Sequence, residues 1–271
     1  MSFSVLSWNV EHFKGGEERL KRVAAHIRGQ DPDVFGLFEV ENVDVLALMQ
    51  NEFGNYTFGI TDGPENMEIL VGWRTAKFSQ AMFTQKREFK AFNPSLRPGA
   101  LLTVTLNSTL SNLLFLHTDS GTDAPGFGNR AEMFDHVVKM KKAIDEAADD
   151  AGGRLIVLGD LNTMGMRYPT GSQANERVDS ELEIASIDRL VGKVAMHLLA
   201  KDEALTFNNL TLQSNLDHVL ASTDLEFTKQ GEVSGEPVFV AVRGWNQLTG
   251  AKRTNFIENI SDHSSLFVEV A

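Results

Sequence analysis

The sequence predicts an α/β fold, because strand-like and helix-like segments alternate at its beginning and hairpin-like pairs of strands follow. Residues 3–10 alternate in hydropathy as a strand does, and residues 17–27 place apolar side chains at helical spacing with a charged opposite face. Residues 34–40 then form a second, almost continuously apolar strand. The chain has 271 residues and no linker, low-complexity run or short repeat, so we expect a single domain over residues 1–271.

The next segments predict one helix and two pairs of strands. Residues 43–53 are amphipathic at helical spacing. The apolar segments 56–60 and 68–73 are separated by a turn, as in a hairpin, and residues 100–106 and 113–117 flank a polar loop in the same way. We therefore expect antiparallel pairing in the second half of this region.

Helices and buried strands also alternate in the rest of the chain. Residues 126–128 are expected to form a flexible glycine-containing loop, after which a helix covers residues 130–148. Another helix is predicted near residues 180–199. Residues 243–260 show no clear periodicity and are predicted as a loop, and residues 266–270 form the last strand.

Composition excludes several classes of protein. Hydrophobic residues make up 42% and charged residues 23% of the chain, which is typical of a folded globular protein. No apolar run reaches about eighteen residues, so no membrane span is expected. The amino terminus lacks the basic and long apolar regions of a signal peptide. We therefore expect a cytoplasmic protein, or a secreted one from which a signal peptide was removed.

Cysteine content and charge restrict the chemistry. The chain has no cysteine, so disulfides, thiolate catalysis and the common structural zinc sites are excluded, and any metal must be held by Asp, Glu, Asn or His. A net charge of −12 disfavours wrapping by long nucleic acid but allows a few phosphate contacts beside a divalent cation. Lys86, Arg87 and Lys90 form the densest basic patch, for which a solvated surface is the simpler interpretation.

The segment Leu155–Asn162 organises the chain. Its first four residues predict a strand buried on both faces, and Gly159 allows the backbone to turn tightly at the end. Asp160 and Asn162 are two positions apart, so in extended geometry their side chains point to the same side. A carboxylate beside an amide suits a phosphate or a hard metal ion. An ordinary strand-end turn is the alternative interpretation.

Polar residues recur at the ends of other predicted strands. Asn9 ends the first strand, and Glu39 lies near the end of the second, where an apolar neighbourhood disfavours a carboxylate without a partner. His117 ends the strand over residues 113–117, and Asp217 begins a later strand. An exposed strand-end glutamate and a structural histidine are the alternative interpretations of Glu39 and His117.

These strand-end residues occur in the order of a known set of motifs, and together they resemble the endonuclease/exonuclease/phosphatase superfamily, whose fold is DNase I-like. The motifs span positions 7 to 263 and so cover nearly the whole chain. The resemblance implies a four-layer α/β sandwich, in which two mostly antiparallel β-sheets pack face to face with helices outside. The matching segments are Ser7–Val10, Gly36–Val40, Leu116–Asp119, Gly159–Asn162, Leu216–Val219 and Ser261–His263.

The same resemblance implies a phosphoesterase that depends on Mg²⁺ or Mn²⁺. Glu39 would be the primary metal ligand, and Asn9 and Asp262 would complete the coordination sphere through oxygen atoms or water. Oxygen ligands of this kind are the ones that Mg²⁺ prefers.

Roles for the remaining strand-end residues also follow from the resemblance. Asp160 would position or deprotonate the attacking water, and Asn162 would orient the phosphate. His263 would contact the phosphoryl oxygens with its charge supported by Asp217, and His117 would supply a second cationic or acidic group near the leaving oxygen. Histidine suits these roles because a neighbouring carboxylate raises its pKa from about 6.5.

His117 and three further residues bear on the substrate. The exonuclease III and apurinic-endonuclease branch has a Tyr-Pro-Asn type of motif at this strand end, whereas histidine occurs in DNase I and in the phosphatase, sphingomyelinase and deadenylase branches. Arg97 and Arg130 lie where arginines near the phosphate often occur in the family. Stacking of a nucleic acid base on Trp245 is expected, with a tryptophan that covers the core as the alternative.

The resemblance therefore gives a leading hypothesis and two alternatives. We expect a metal-dependent phosphodiesterase that hydrolyses P–O bonds in nucleic acid, above all DNA, as a monomer without a stable protein partner. The enzymatic alternative is a phosphatase or phosphodiesterase for a small or lipid-linked phosphate, which the acidic surface fits somewhat better. A catalytically silent binding module is disfavoured, because every expected catalytic position is filled.

Overall fold

Strands and helices alternate along most of the chain. The computed structural model describes residues 2–41, 43–63, 67–148, 152–167 and 178–271. The strands are β1 (Phe3–Phe13), β2 (Val34–Val40), β3 (Tyr56–Ile60), β4 (Glu68–Arg74), β5 (Gln80–Lys86), β6 (Gly99–Leu106), β7 (Thr109–Phe115), β8 (Leu155–Asp160), β9 (Met196–Leu198), β10 (Phe207–Asn208), β11 (Gln213–Ser214), β12 (Asp217–Ser222), β13 (Gly231–Val233), β14 (Glu236–Val238), β15 (Ala241–Arg243) and β16 (Ser265–Val270). The helices are α1 (Glu17–Gln30), α2 (Asp44–Glu52), α3 (Ala124–Ala148), α4 (Ser180–Gly192) and α5 (Gly250–Asn259), with short 3-10 helices at Arg87–Lys90 and Trp245–Gln247.

Two six-stranded sheets contain most of these strands. The first sheet has the order β15-β16-β1-β2-β4-β3, and the second has the order β5-β6-β7-β8-β12-β9. Each sheet has one parallel pair, β1 with β2 and β7 with β8, and its other neighbours are antiparallel. Strands β10 and β11 form a small separate hairpin, as do β13 and β14.

The two sheets pack face to face around a central apolar core. Phe38 of β2, Phe115 of β7 and Leu158 of β8 are fully buried in this core. Gly36 of β2 lies directly against the Phe115 ring, where an added Cβ atom would be only 2.2 Å from a ring carbon. Glycine is therefore required at this position for the sheets to approach so closely.

Helices cover the outer face of each sheet. Buried residues of α1, α2 and α5 pack with Trp8 and Phe35 in an apolar cluster outside the first sheet. Buried residues of α3 and α4 pack with Val157 and Leu220 in a cluster outside the second sheet. The result is the four-layer sandwich that the sequence predicts. In the part of the chain that the structure describes, no helix is long and apolar enough to cross a membrane.

Helix α3 begins six residues earlier than predicted, so the expectation of a flexible loop over residues 126–128 is wrong. The side chain of Asp123 accepts a hydrogen bond of 2.9 Å from the backbone N–H of Gly126, as an N-cap does. Pro125 lies in the first helical turn, where its missing N–H is not needed. Gly126 and Gly128 make this start hard to recognise in the sequence, because glycine lowers helix propensity. It does not prevent a helix that is capped and packed.

Two other predicted segments differ from the structure. The helix expected near residues 180–199 ends at Gly192, and strand β9 follows it at the margin of the second sheet. The segment 243–260, predicted as a loop, contains helix α5. Only Phe256 and Ile257 of this helix are buried, and two adjacent apolar residues produce no helical period.

Candidate active site

Sheet topology collects the predicted polar residues at one edge of the sandwich. Strands β1, β2 and β8 end at this edge, whereas the antiparallel strands β12 and β16 begin there. Asp217 lies directly opposite Asp160 in the β8–β12 ladder, and a hydrogen bond of 3.0 Å from Asn9 Nδ2 to Asp160 Oδ2 joins the two sheets. The residues that meet here are Asn9, Glu39, His117, Asp160, Asn162, Asp217, Asp262 and His263.

Local distortions of β1 and β2 shape the first sheet's part of this edge. The pairing register of β1 with β2 shifts after Asn9, and Glu11 and His12 have positive φ angles of 48° and 47°. The register of β2 with β4 shifts near Glu39, whose φ is 60°. Such left-handed conformations cost non-glycine residues about 1–2 kcal/mol each. Beside Asn9 and Glu39 these conformations interrupt the regular pairing of β1, β2 and β4.

Gly159 sets the position of the second sheet's part of the edge. A Cβ atom at residue 159 would lie 1.8 Å from the carbonyl oxygen of Leu116. Only glycine therefore allows β8 to run so close to the end of β7. This approach brings His117 Nε2 to 3.5 Å from Asp160 Oδ2.

Oxygen atoms of Glu39, Asn9 and Asp262 form what we call the carboxylate half of the site. Asn9 donates from Nδ2 to Glu39 Oε1 at 2.9 Å, and the backbone N–H of His12 donates to Glu39 Oε2 at 3.0 Å. Asp262 Oδ1 is buried and has no hydrogen-bond partner among the described residues. Burial raises the pKa of Asp262 to about 6, although the charge of His263 opposes this rise.

The donor set of the carboxylate half fits a hard divalent cation. An unpartnered buried carboxylate oxygen is unfavourable unless a ligand or ion satisfies it, and Asp262 provides such an atom. Carboxylate and amide oxygens are the ligands that Mg²⁺ and Mn²⁺ prefer. Ligand atoms of Glu39, His117 and Asp160 also lie within 4.8 Å of one another, so the carboxylate of Asp160 borders the same space.

Asp217 and His263 form a buried pair, which we call the dyad. His263 Nδ1 lies 2.8 Å from Asp217 Oδ2, and His263 Nε2 faces Asp160 Oδ2 at 3.8 Å. Burial alone would lower the pKa of His263, but the carboxylates of Asp217 and Asp160 outweigh it and raise the pKa to about 10. The imidazole is therefore protonated at neutral pH.

Asp160 and Asn162 have the shared orientation that their spacing predicts. The backbone N–H of Asn162 donates to Asp160 Oδ1 at 3.1 Å, and Asn162 Nδ2 donates to the carbonyl of Thr118 at 3.2 Å. Burial raises the pKa of Asp160 to about 7, with the charge of His263 acting in the opposite direction. A carboxyl group with this pKa can exchange a proton near neutral pH.

His117 differs from the cationic group that the resemblance implies. Burial, and then the charges of Arg97 and His263, hold its pKa well below the usual value, so the ring is neutral. Its Nδ1 atom, Thr118 Oγ1 and Arg97 Nε are buried without hydrogen-bond partners among the described residues. Such unpartnered buried polar atoms are rare in folded proteins, and here all three belong to residues at or near the end of β7 or the start of β6.

Arg130 is fully buried, and its contacts differ from those expected of a phosphate-binding arginine. Its guanidinium pairs with Glu183 at 2.7 Å and donates to the carbonyls of Gly121 and Gly165 at 2.7 Å and 2.8 Å. Arg130 thus ties the loop after His117 to the loop after Asn162. It holds the site together instead of facing a substrate.

Trp245 is also positioned differently from the expected stacking platform. Its side chain is only 2% exposed, and the guanidinium of Arg253 lies 4.8 Å from the ring centroid. The indole Nε1 donates to the carbonyl of Asp262 at 3.0 Å. Its position is that of a tryptophan that covers the core and fixes the backbone next to His263.

The sequence did not predict a role for Lys201 and Thr206, whose side chains hold the backbone at Asp217 of the dyad. Lys201 Nζ donates to Asn215 Oδ1 at 2.5 Å and to the carbonyl of Asp217 at 2.6 Å. Thr206 Oγ1 accepts hydrogen bonds from the backbone N–H groups of Leu216 and Asp217 at 3.1 Å and 3.0 Å. No motif contains Lys201 or Thr206, and ordinary surface residues produce the same sequence pattern.

Comparisons with known proteins agree with this geometry. A profile of the endonuclease/exonuclease/phosphatase family matches residues 6–263, and no curated protein sequence gives a significant match. Truncated TDP2 from Caenorhabditis elegans superposes with a TM-score of 0.67 at 17% identity, over 100% of this chain and 97% of that one. TDP2 from D. rerio, complexed with single strand DNA product, has a TM-score of 0.68 at 15% identity, over 100% and 99%.

A mannosyl-6-phosphatase from Bacteroides thetaiotaomicron has a TM-score of 0.61 at 16% identity, over 99% of both chains. At such identities the superpositions establish the DNase I-like fold alone. The family profile covers nearly the whole sequence, including every motif at the edge. The chain therefore belongs to the endonuclease/exonuclease/phosphatase family of divalent-metal-dependent phosphoesterases.

Proposed function

We propose that this protein is a Mg²⁺- or Mn²⁺-dependent phosphodiesterase that hydrolyses DNA, and that residues 1–271 act as one domain and as a monomer. The observation that carries the proposal is the protonated dyad beside Asp160, since His263 Nε2 and Asp160 Oδ2 are 3.8 Å apart. A fixed cation next to a carboxyl group with a pKa near 7 can bind a phosphoryl oxygen while the carboxyl group accepts a proton from water.

Each residue of the edge has a task in this reaction. Glu39, Asp262 and Asn9 would hold the cation, which, when bound, neutralises charge on the phosphate oxygens. Asp160 accepts the proton of the attacking water. The remaining groups act on the phosphate: Asn162 orients it, His263 donates from Nε2 to a non-bridging oxygen, and Arg97 and the neutral His117 lie beside it. As the water oxygen bonds to phosphorus, the bond to the leaving oxygen breaks, and that oxygen takes up a proton from solvent.

One observation favours DNA as the substrate, and a second supports a phosphate ester of either candidate class. TDP2 from D. rerio, which is similar in fold, was crystallised with a single strand DNA product. Arg97 also supplies a buried, unpartnered donor beside His117, which suits a phosphate group. The net charge of −12 favours the second candidate, a phosphatase or phosphodiesterase for a small or lipid-linked phosphate.

The proposal is tested with three substrates in Mg²⁺ or Mn²⁺: supercoiled plasmid, linear single-stranded DNA and bis-p-nitrophenyl phosphate. We expect DNA cleavage that both EDTA and Asp160→Asn abolish. Asp135→Asn, on an exposed position of α3, is the matched control. Turnover of the small ester alone would replace the nuclease by the second candidate. No turnover of any substrate, with metal bound, would support the silent binding module.

A further inference from the structure

One basic surface of the protein lies outside the site described above. Arg87, Lys90, Phe92 and His136 line a hollow of about 350 Å³, which we call the basic–aromatic surface. A second hollow of about 280 Å³ shares Arg87 and Lys90 with it and reaches Gly63. The side chains of Arg87 and Lys90 therefore border both hollows.

The aromatic part of this surface is an exposed ring on an ordered turn. Phe92 is 92% exposed, and Ala91 and Phe92 have positive φ angles of 48° and 57°. Phe89 and Leu96 on either side are buried in the core beneath α3, which anchors the turn. The turn thus presents the Phe92 ring to solvent beside the His136 ring, whose centroid is 6.5 Å away, in a position where a planar ligand can stack on it.

The two hollows are lined by two cations, Arg87 and Lys90, and by two carboxylates, Glu88 and Asp62. Glu88 pairs with Lys86 at 3.0 Å, and within the described ranges Arg87 and Lys90 form no ion pair. Asp62 is the acidic residue that lines the second hollow. Lys86 pairs with Glu88, so Arg87 and Lys90, which have no ion pair among the described residues, make this surface less acidic than the chain as a whole.

The basic–aromatic surface continues toward the catalytic edge. Gly63, in the second hollow, lies against Pro98, whose Cδ atom would be 3.4 Å from a Cβ added at Gly63. Arg97 precedes Pro98, and after burial its charge contributes most to lowering the pKa of His117. The segment from Arg87 to Pro98 therefore joins this surface to the phosphate-contacting side of the site.

We propose that the basic–aromatic surface binds single-stranded nucleic acid at nucleotides distant from the phosphate that is cleaved. Phe92 stacks on a base, and Arg87 and Lys90 contact backbone phosphates. This inference rests on the proposed nuclease function. A strand fits better than a membrane, because the ring stands alone among the polar residues Asn93 and Ser95 on a fixed turn.

The test measures binding of fluorescein-labelled oligonucleotides by anisotropy in EDTA, with a 12-nucleotide strand and a dinucleotide that is too short to span both regions. We expect Phe92→Ser to weaken binding of the long strand about fivefold or more. Replacing Arg87 and Lys90 together by Ser should reduce the slope of log Kd against log salt by about 1.4. Binding of the dinucleotide at the catalytic edge should be the same in these variants as in the wild type, because the dinucleotide does not reach the basic–aromatic surface.

Two substitutions at the opposite end of the second sheet are matched controls. Leu110→Ser removes an apolar side chain that is 51% exposed, and Lys193→Ser removes an exposed lysine. Unchanged long-strand binding in the Phe92 and Arg87/Lys90 variants, with cleavage by the wild type, would overturn the inference alone. Absence of any oligonucleotide binding or cleavage by the wild type would overturn the nuclease proposal with it. The same variants are sedimented with phosphatidylserine–phosphatidylcholine vesicles, and loss of vesicle binding with unchanged oligonucleotide binding would overturn the inference and assign the surface to lipid.

Discussion

The dyad and the carboxylate half lie at the same edge, but they differ in how complete they are in the protein alone. The dyad has its counter-charge in place, since His263 and Asp217 pair at 2.8 Å. In the carboxylate half, Asp262 has an unpartnered oxygen and Glu39 occupies a strained backbone conformation. Under the proposed function, the comparison implies that protein contacts preorganise the group that recognises the phosphate, whereas the carboxylate half would need an ion to complete it.

The largest expected effect concerns Asp160, which borders both regions. Asp160→Asn keeps the shape of the side chain but removes the group that accepts the proton of water. We expect kcat to fall by about 10²–10⁴-fold. Initial rates on DNA or bis-p-nitrophenyl phosphate measure this loss, with Asp135→Asn as the control. A decrease below tenfold would contradict the role of Asp160 as the base.

Breaking the dyad should destabilise the protein even without metal. Asp217→Asn leaves His263 buried without its counter-ion, and we expect the free energy of unfolding to decrease by about 3 kcal/mol. Urea denaturation in EDTA measures the change. An unchanged urea midpoint would show that the Asp217–His263 pair does not stabilise the folded protein. It would contradict the difference described between the dyad and the carboxylate half.

Metal binding should act through the carboxylate half alone. At a Mg²⁺ or Mn²⁺ concentration of about 100 times Kd, we expect the wild type to gain about 2.7 kcal/mol of stability. Glu39→Gln should lose most of this gain, and Asp217→Asn should keep it. Thermal melts with increasing metal concentration provide the measurement. Equal loss in both variants would show that the ion bridges the two regions.

The smallest effect concerns His26, which supports β1 behind the carboxylate half. Its ring lies 4.4 Å from Trp8, and burial lowers its pKa from 6.5 to about 4. As pH falls, His26 of the unfolded chain binds a proton at a higher pH than His26 of the folded chain. The stability that the neutral, buried His26 ring contributes is therefore lost as pH falls from 6.5 toward 4. By pH 5 the loss is about 2 kcal/mol. His26→Gln should have a flatter stability profile than the wild type, and parallel profiles would contradict the buried neutral ring.

Much of the fold was predictable because its signals are local. The strand ending at Asp160 and the helix containing Ile27 have apolar patterns that a short window reveals. Helix α5 buries only two adjacent residues, and the glycines of α3 conceal its capped start. These elements depend on packing and capping contacts, which hydropathy does not encode.

The positions of the candidate site residues were predictable to a similar degree. Asn9, Glu39 and His117 stand at strand ends, and sheet topology brings such ends together. The contacts of Arg130 and Trp245 were not predictable, because only the folded structure shows that Glu183 and the carbonyl of Asp262 occupy their polar groups. Lys201 and Thr206 act through backbone atoms of residues 10 to 16 positions away, for which no motif exists.

The pairing of β1 with β16 determines when the candidate site can assemble. Phe3 pairs with Val270, and Ser261 Oγ donates a hydrogen bond to the carbonyl of Asn9, so this edge is complete only when residues 261–270 have folded onto β1. A chain still being synthesised carries Glu39 and Asp160 long before residues 262–270 leave the ribosome. The candidate site therefore cannot come together at this edge until residues 262–270 have emerged and β16 has paired with β1.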